Sequence, residues 1–198
     1  AARQPALAPL AGTAVMRVAP YASGLDVLAG QDSAPLAGLR VGLITNQTGV
    51  DGQGRSAVEL LRQAPGVKLA AIFSPEHGLY GRFDQRIASG TESAAGIPVQ
   101  SLYGRHLKPS PEMLEGLDAL VFDIQDVGAR FYTYISTMGH AIEAAARKGI
   151  VIFVLDRPNA IGGEAVQGPV LDADRRSFTG YFPLPVRHGR SEEHTSEL

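Results

Sequence analysis

Four stretches of this chain place polar or proton-handling side chains directly after an apolar run. They are Thr45-Asn46-Gln47-Thr48-Gly49, Ser74-Pro75-Glu76-His77-Gly78, Asp123-Ile124-Gln125-Asp126-Val127-Gly128-Ala129-Arg130 and Asp156-Arg157-Pro158-Asn159. In Glu76-His77 a carboxyl group that can give or take a proton adjoins an imidazole that can orient it. Asp123 and Asp126 are further carboxylates, although an anionic side chain at such a place also serves as a helix cap. Arg130 and Arg157 can bind an anion or pair with those same aspartates as a structural network. The rings of Phe131, Tyr132 and Tyr134 read as core, with the face of a sugar as the other use for such a surface. His140, inside a helical stretch, reads as a surface or satisfied histidine. Amides, carboxylates and aromatic faces together suit a polyhydroxylated ligand. Cleaving a glycosidic bond needs one carboxyl group to protonate the leaving oxygen and usually a second to activate water or attack. Glu76 with one of Asp123, Asp126 or Glu164 supplies such a pair.

These residues can meet only if the elements before them are parallel. Residues 40–45 (RVGLIT), 67–73 (VKLAAIF), 97–102, 117–124 (LDALVFDI) and 150–155 are short apolar runs bounded by turn signals and read as strands. Residues 56–64 and 132–148 carry apolar side chains at helical spacing, the first with Ser56 as N-cap and the second ending in Arg147-Lys148-Gly149. Ser110-Pro111-Glu112 opens like a third helix, ending at Gly116. Continuously apolar strands alternating with amphipathic helices predict an α/β fold, a Rossmann-like, mostly parallel sheet with helices on both faces. In such sheets ligands bind beyond the carboxyl ends of the strands, where all four motifs fall.

Composition removes other classes. The 198 residues are 44% hydrophobic and 19% charged, the profile of one globular domain. Eighteen basic against 20 acidic residues leave no excess charge for a nucleic-acid backbone. No apolar run approaches the ~20 residues of a membrane-spanning helix, and the absence of cysteine excludes thiol chemistry and disulfides. Neither a dinucleotide fingerprint, a P-loop, a nucleophile elbow nor an H-E-x-x-H motif is present, so no cofactor and no metal are expected.

The strings LITNQTGVD (43–51), FSPEHGLYG (73–81), LVFDIQDVGARFYTYISTMG (120–139), VLDRPNAIGGE (154–164) and FPLPVRHG (182–189) resemble the exo-β-N-acetylmuramidase family of peptidoglycan-recycling enzymes. The resemblance implies a Rossmann-like N-terminal domain, a second C-terminal domain and an active groove between them. It further implies removal of N-acetylmuramic acid from the non-reducing end of peptidoglycan fragments, in an exported, periplasmic or extracellular setting. By the same motifs Glu76 is the general acid/base, His77 orients it or meets the sugar, and Asp126 completes the catalytic set. Asn46, Gln125, Arg130, Tyr132, Arg157, Asn159 and His188 become substrate-binding positions, an arginine being a fit partner for the lactyl carboxylate. A non-catalytic peptidoglycan-sugar-binding module is the alternative, and a metal-dependent hydrolase a third reading.

Two departures accompany the resemblance. The family reads D-R-P-N-P where this chain has Ala160, and after Gly189 the chain turns into RSEEHTSEL, which matches one translated frame of a common sequencing-library adapter. The expected division is therefore a lead-in at 1–23, a catalytic domain at 24–189, and an extraneous tail at 190–198, with the family's second domain missing.

Overall fold

The computed structural model describes residues 21–80, 93–94, 96–191 and 194–195. Its centre is a six-stranded sheet in the order β3-β4-β2-β1-β5-β6, built from β1 (Arg40–Thr45), β2 (Lys68–Ser74), β3 (Ser93–Ala94), β4 (Ile97–Ser101), β5 (Ala119–Asp123) and β6 (Val151–Val154). Every pairing except that of β3 with β4 is parallel. Counted along the chain, the five parallel strands lie in the order 3-2-1-4-5 of a doubly wound sheet, which switches direction between β1 and β5.

The strands are apolar throughout because both faces of the sheet are covered. All five residues of β5 are buried, and alternate side chains of one strand serve opposite cores. Leu120 and Phe122 join Phe73, Leu114, Met138 and Tyr181 on one face, beneath α3 (Tyr134–Lys148). Val121 joins Leu43, Leu61 and Ile72 on the other, beneath α1 (Gly24–Gly30) and α2 (Ala57–Gln63). The α/β layout expected from the sequence is thus present.

Local chemistry explains most element ends. Ser23 and Asp26 form a reciprocal capping box on α1, and the Ser56 hydroxyl accepts the Glu59 N–H at the start of α2. α3 ends at Gly149 in the left-handed region, where the N–H groups of Gly149 and Ile150 return to the carbonyls of Ala146 and Ala145.

The structure corrects three expectations. Residues 110–116 form consecutive turns and no helix: the Leu114 N–H is shared between the carbonyls of Ser110 and Pro111, and the turn does not propagate. Neither Asp123 nor Asp126 caps α3, whose N-cap position is Thr133. His140 is neither exposed nor satisfied, since its half-buried ring packs edge-on against Tyr181 with Nδ1 lacking a hydrogen-bond partner. Burial accordingly holds that imidazole below its ordinary range. Helix α1 was not among the expected elements. Of the expected lead-in at 1–23, residues 1–20 lie outside the described residues, as does most of the tail at 190–198.

Candidate active site

The parallel strands deliver all four polar motifs to one edge of the sheet, on either side of the switch between β1 and β5. Thr45 and Asp123 are register partners there, and the Thr45 hydroxyl donates to the Asp123 carbonyl at 2.8 Å.

Beneath this edge lies a buried ion pair. Asp123 has no exposed surface, and Arg157 donates from Nε to its Oδ1 at 2.7 Å. Burial pushes the Asp123 carboxyl above the usual carboxylate range, while the Arg157 guanidinium pulls it back. Arg157 also donates from Nη2 to the Val50 carbonyl at 3.0 Å, so one side chain joins the segments that follow β1, β5 and β6. Gly49 must be glycine for this closure, because a Cβ there would meet the Asp123 carbonyl oxygen at 2.9 Å.

A second set of bonds ties the same segments nearer the surface. Asn46 Oδ1 accepts from the Thr48 backbone at 2.9 Å and hydroxyl at 2.6 Å, and that hydroxyl oxygen accepts the Gln125 N–H at 2.9 Å. Gln125 Nε2 then donates to the carbonyls of Asp126 and Pro158. Asn46 Nδ2 is buried and makes no hydrogen bond.

Glu76 stands half-buried in the turn that follows β2 and accepts a hydrogen bond from the Thr133 hydroxyl at 2.7 Å. The phenol of Tyr134 faces Tyr132, Asn46 and the Glu76 carboxylate; burial, followed by Tyr132, pushes it far above its ordinary value. The rings of Tyr132 and Tyr134 meet edge to face at 4.9 Å. Tyr134 is core, Tyr132 half-buried and Phe131 59% exposed, so the three aromatic neighbours divide between the two readings open to them. His77, next to Glu76, is exposed and has φ of +69°, a region that side chains other than glycine seldom occupy.

Asp126 belongs to a third group. Its Oδ2 accepts the Gly128 N–H at 2.7 Å and lies 3.5 Å from His188 Nε2. The Arg190 N–H donates to His188 Nδ1 at 3.2 Å, which leaves the imidazole proton of a neutral His188 on Nε2, facing Asp126. Asn159 packs against Gly128, where any Cβ would collide with its amide, and donates from Nδ2 to the Arg190 carbonyl at 3.0 Å. Arg130 turns away from the carboxylates and donates from Nη1 to the carbonyls of Pro169 and Leu184. Glu164 is exposed in the long segment after β6.

The structure therefore gathers Asn46, Glu76, Tyr132, Thr133 and Tyr134 in one group and Asp126, Asn159 and His188 in another, with Gln125 between the segments that carry them. Thr48, Thr133 and Tyr134 were not singled out by the sequence as site residues. Among the described residues no cluster of three His, Asp or Glu side chains has the arrangement of a metal site, and no helix is long and apolar enough to cross a membrane. A cavity of about 520 Å³ lies elsewhere, between the segment after β4 and the C-terminal half of α3; its walls include Lys108, His140 and Arg147 and none of the predicted site residues.

The chain is an α/β domain whose polar side chains converge past the carboxyl ends of parallel strands, the edge at which open α/β sheets take their ligands. The chain belongs to the exo-β-N-acetylmuramidase NamZ family, whose N-terminal model matches residues 41–192. It is 48% identical over 169 residues to the peptidoglycan β-N-acetylmuramidase NamZ of Bacillus subtilis (strain 168), a match that covers 84% of this chain and 41% of that protein. Two crystal structures of DUF1343 family proteins from Bacteroides fragilis share the fold. One superposes with a TM-score of 0.80 at 47% identity, covering 86% of this chain and 43% of that one. The other gives 0.71 at 34% identity, with 86% and 44% covered. The chain thus spans less than half the length of the relatives it matches.

Proposed function

We propose that the protein is an exo-acting glycosidase that releases N-acetylmuramic acid from the non-reducing end of peptidoglycan fragments, with Glu76 as its general acid/base. The observation that carries the reading is the placement of Glu76. Its carboxyl group is half-buried at the ligand-receiving edge of the sheet, fixed by a hydroxyl and set beside the phenol of Tyr134. The activity of the B. subtilis relative supports the substrate class.

In this mechanism Glu76, in its acid form, gives a proton to the glycosidic oxygen as the bond to the sugar breaks, water supplies the oxygen that bonds to the anomeric carbon, and the proton that water loses passes to a carboxylate, so that the acid form of Glu76 is regenerated over the cycle. Asp126 is the second carboxylate, its orientation set by the Gly128 N–H and His188. His77 adjoins Glu76 on the exposed side, where it meets the sugar. Asn46, Gln125, Tyr132 and Asn159 line the approach with amides and one aromatic face. Arg130 and Arg157 belong to the binding region as the supports of its loops, their guanidinium groups being engaged with main-chain carbonyls and Asp123. No cofactor takes part. Residues 24–189 act as the catalytic N-terminal domain, the groove being completed by the further length its relatives possess, and the protein works outside the cytoplasm, where its polymer lies.

The test is Glu76→Gln in the full-length protein, assayed for release of N-acetylmuramic acid from muropeptides that end in it. Turnover is expected to fall by about 10²- to 10⁴-fold, with the melting temperature preserved. Near-normal turnover overturns the assignment of Glu76. Tight binding of the same fragments by a wild-type protein that never releases sugar overturns the glycosidase reading in favour of a sugar-binding module.

A further inference from the structure

The start of α3 departs from those of the other two helices. Ser23 and Ser56 each turn the side chain inward to accept a backbone N–H of their own helix. Thr133 occupies the corresponding place before Tyr134, yet its side chain makes no capping bond, and its backbone (φ −77°, ψ −7°) is already helical. The hydroxyl reaches across 57 residues of sequence to Glu76 Oε2 at 2.7 Å. It is the sole hydrogen-bond partner of that carboxylate among the described residues.

The two partners differ in how firmly they are held. The Thr133 carbonyl accepts both the backbone N–H and the hydroxyl of Thr137, at 3.0 and 3.2 Å, and the following turns of α3 are buried in the core. Glu76 sits in a short turn closed by one backbone bond, from Gly78 N–H to the Pro75 carbonyl, with the strained His77 inside it. The rigid member therefore sets the direction of the less constrained one. A hydroxyl also suits a group that changes protonation state, since it donates to a carboxylate and accepts from a carboxylic acid without moving.

We infer that Thr133 is a positioning residue for the proposed reaction, its hydroxyl holding Glu76 in the orientation needed for proton transfer. The inference rests on the reading of Glu76 given above, and the experiment separates the two. Thr133→Val removes the hydroxyl at nearly constant shape, Thr133→Ser keeps it, and Glu76→Gln serves as the control. Each is assayed in the full-length protein for kcat, KM and melting temperature.

For Thr133→Val, kcat is expected to fall by about 10- to 100-fold, as for loss of a hydrogen bond to a charged group, with KM within about threefold of wild type. Thr133→Ser, which keeps the hydroxyl, should restore kcat. If Glu76→Gln is inactive while Thr133→Val keeps the wild-type kcat, the role of Thr133 is overturned. It is equally overturned if the loss in Thr133→Val appears in KM with kcat unchanged, if kcat and melting temperature fall together, or if Thr133→Ser does not restore kcat. An active Glu76→Gln overturns the underlying reading instead.

Discussion

Asp123 and Asp126 stand three residues apart and have different duties. Asp126 lies at the proposed site, whereas Asp123 is sealed against Arg157 beneath it. Breaking a buried pair from one side leaves a desolvated charge, so Arg157→Met should destabilise the fold by about 3–5 kcal/mol in urea denaturation at neutral pH. The dependence on pH has a definite sign. Burial already raises the Asp123 carboxyl, and losing Arg157 removes the influence that opposes it. A carboxyl raised in the folded state contributes stability below its unfolded titration range and loses it as pH rises through the folded value. The penalty in Arg157→Met should therefore shrink as pH is lowered through the carboxylate range. A penalty that stays constant or grows on acidification would show that Asp123 is not the group left uncompensated.

At the level of elements, α3 joins the core to the site, and its packing leaves little room. A Cβ at Gly139 would press into the ring of Tyr181, whose hydroxyl is anchored on Glu143 and whose phenol is pushed up to about 12 by burial and that carboxylate. Alanine at 139 gains about 1 kcal/mol of helix propensity, and the forced repacking costs about 1–3 kcal/mol. Gly139→Ala should therefore lower the denaturation midpoint, and a stabilised variant would show that Tyr181 yields without cost. The five parallel strands were legible in the sequence to within about two residues because continuous apolar runs between turn residues carry their own boundaries, whereas the two-residue β3 carries no such signal. The turns at 110–116 were misread as a helix because a proline after a serine marks a start, while seven residues ending at glycine offer too little to propagate it. The capping signature at Ser23 and Asp26 was present in the sequence and would have found α1. Of the site, Asn46, Glu76 and Asp126 could be read from their position after strands. The separate fates of Asp123 and Asp126 could not, since burial is a tertiary property. Nor could Thr133, whose partner lies 57 residues away.

On the scale of the whole molecule, the two cores share one sheet, so neither persists without the other. Phe122, 1% exposed in the core that also holds Ile44, Phe73 and Met138 of α3, tests this. Phe122→Ala should cost about 3–5 kcal/mol. Far-ultraviolet circular dichroism and protection of α2 amides on the opposite face should be lost in the same transition, and two separated transitions would show that the faces fold independently. The site inherits this cooperativity. Its residues come from segments after β1, β2, β5 and β6, and only the assembled sheet brings them to one edge.

The Asp123–Arg157 pair has a further consequence for how that sheet is put together. β6 pairs with β5 in a single register, Phe122 opposite Val154. Slipping β6 by one residue would turn its side chains to the wrong faces and bring Asp156 or Pro158 to the place of Arg157. In the first case a second carboxylate would confront Asp123 in a dry interior; in the second the charge would stand alone. The ion pair thus penalises a misaligned β6, because only the observed register gives the buried Asp123 its counter-charge.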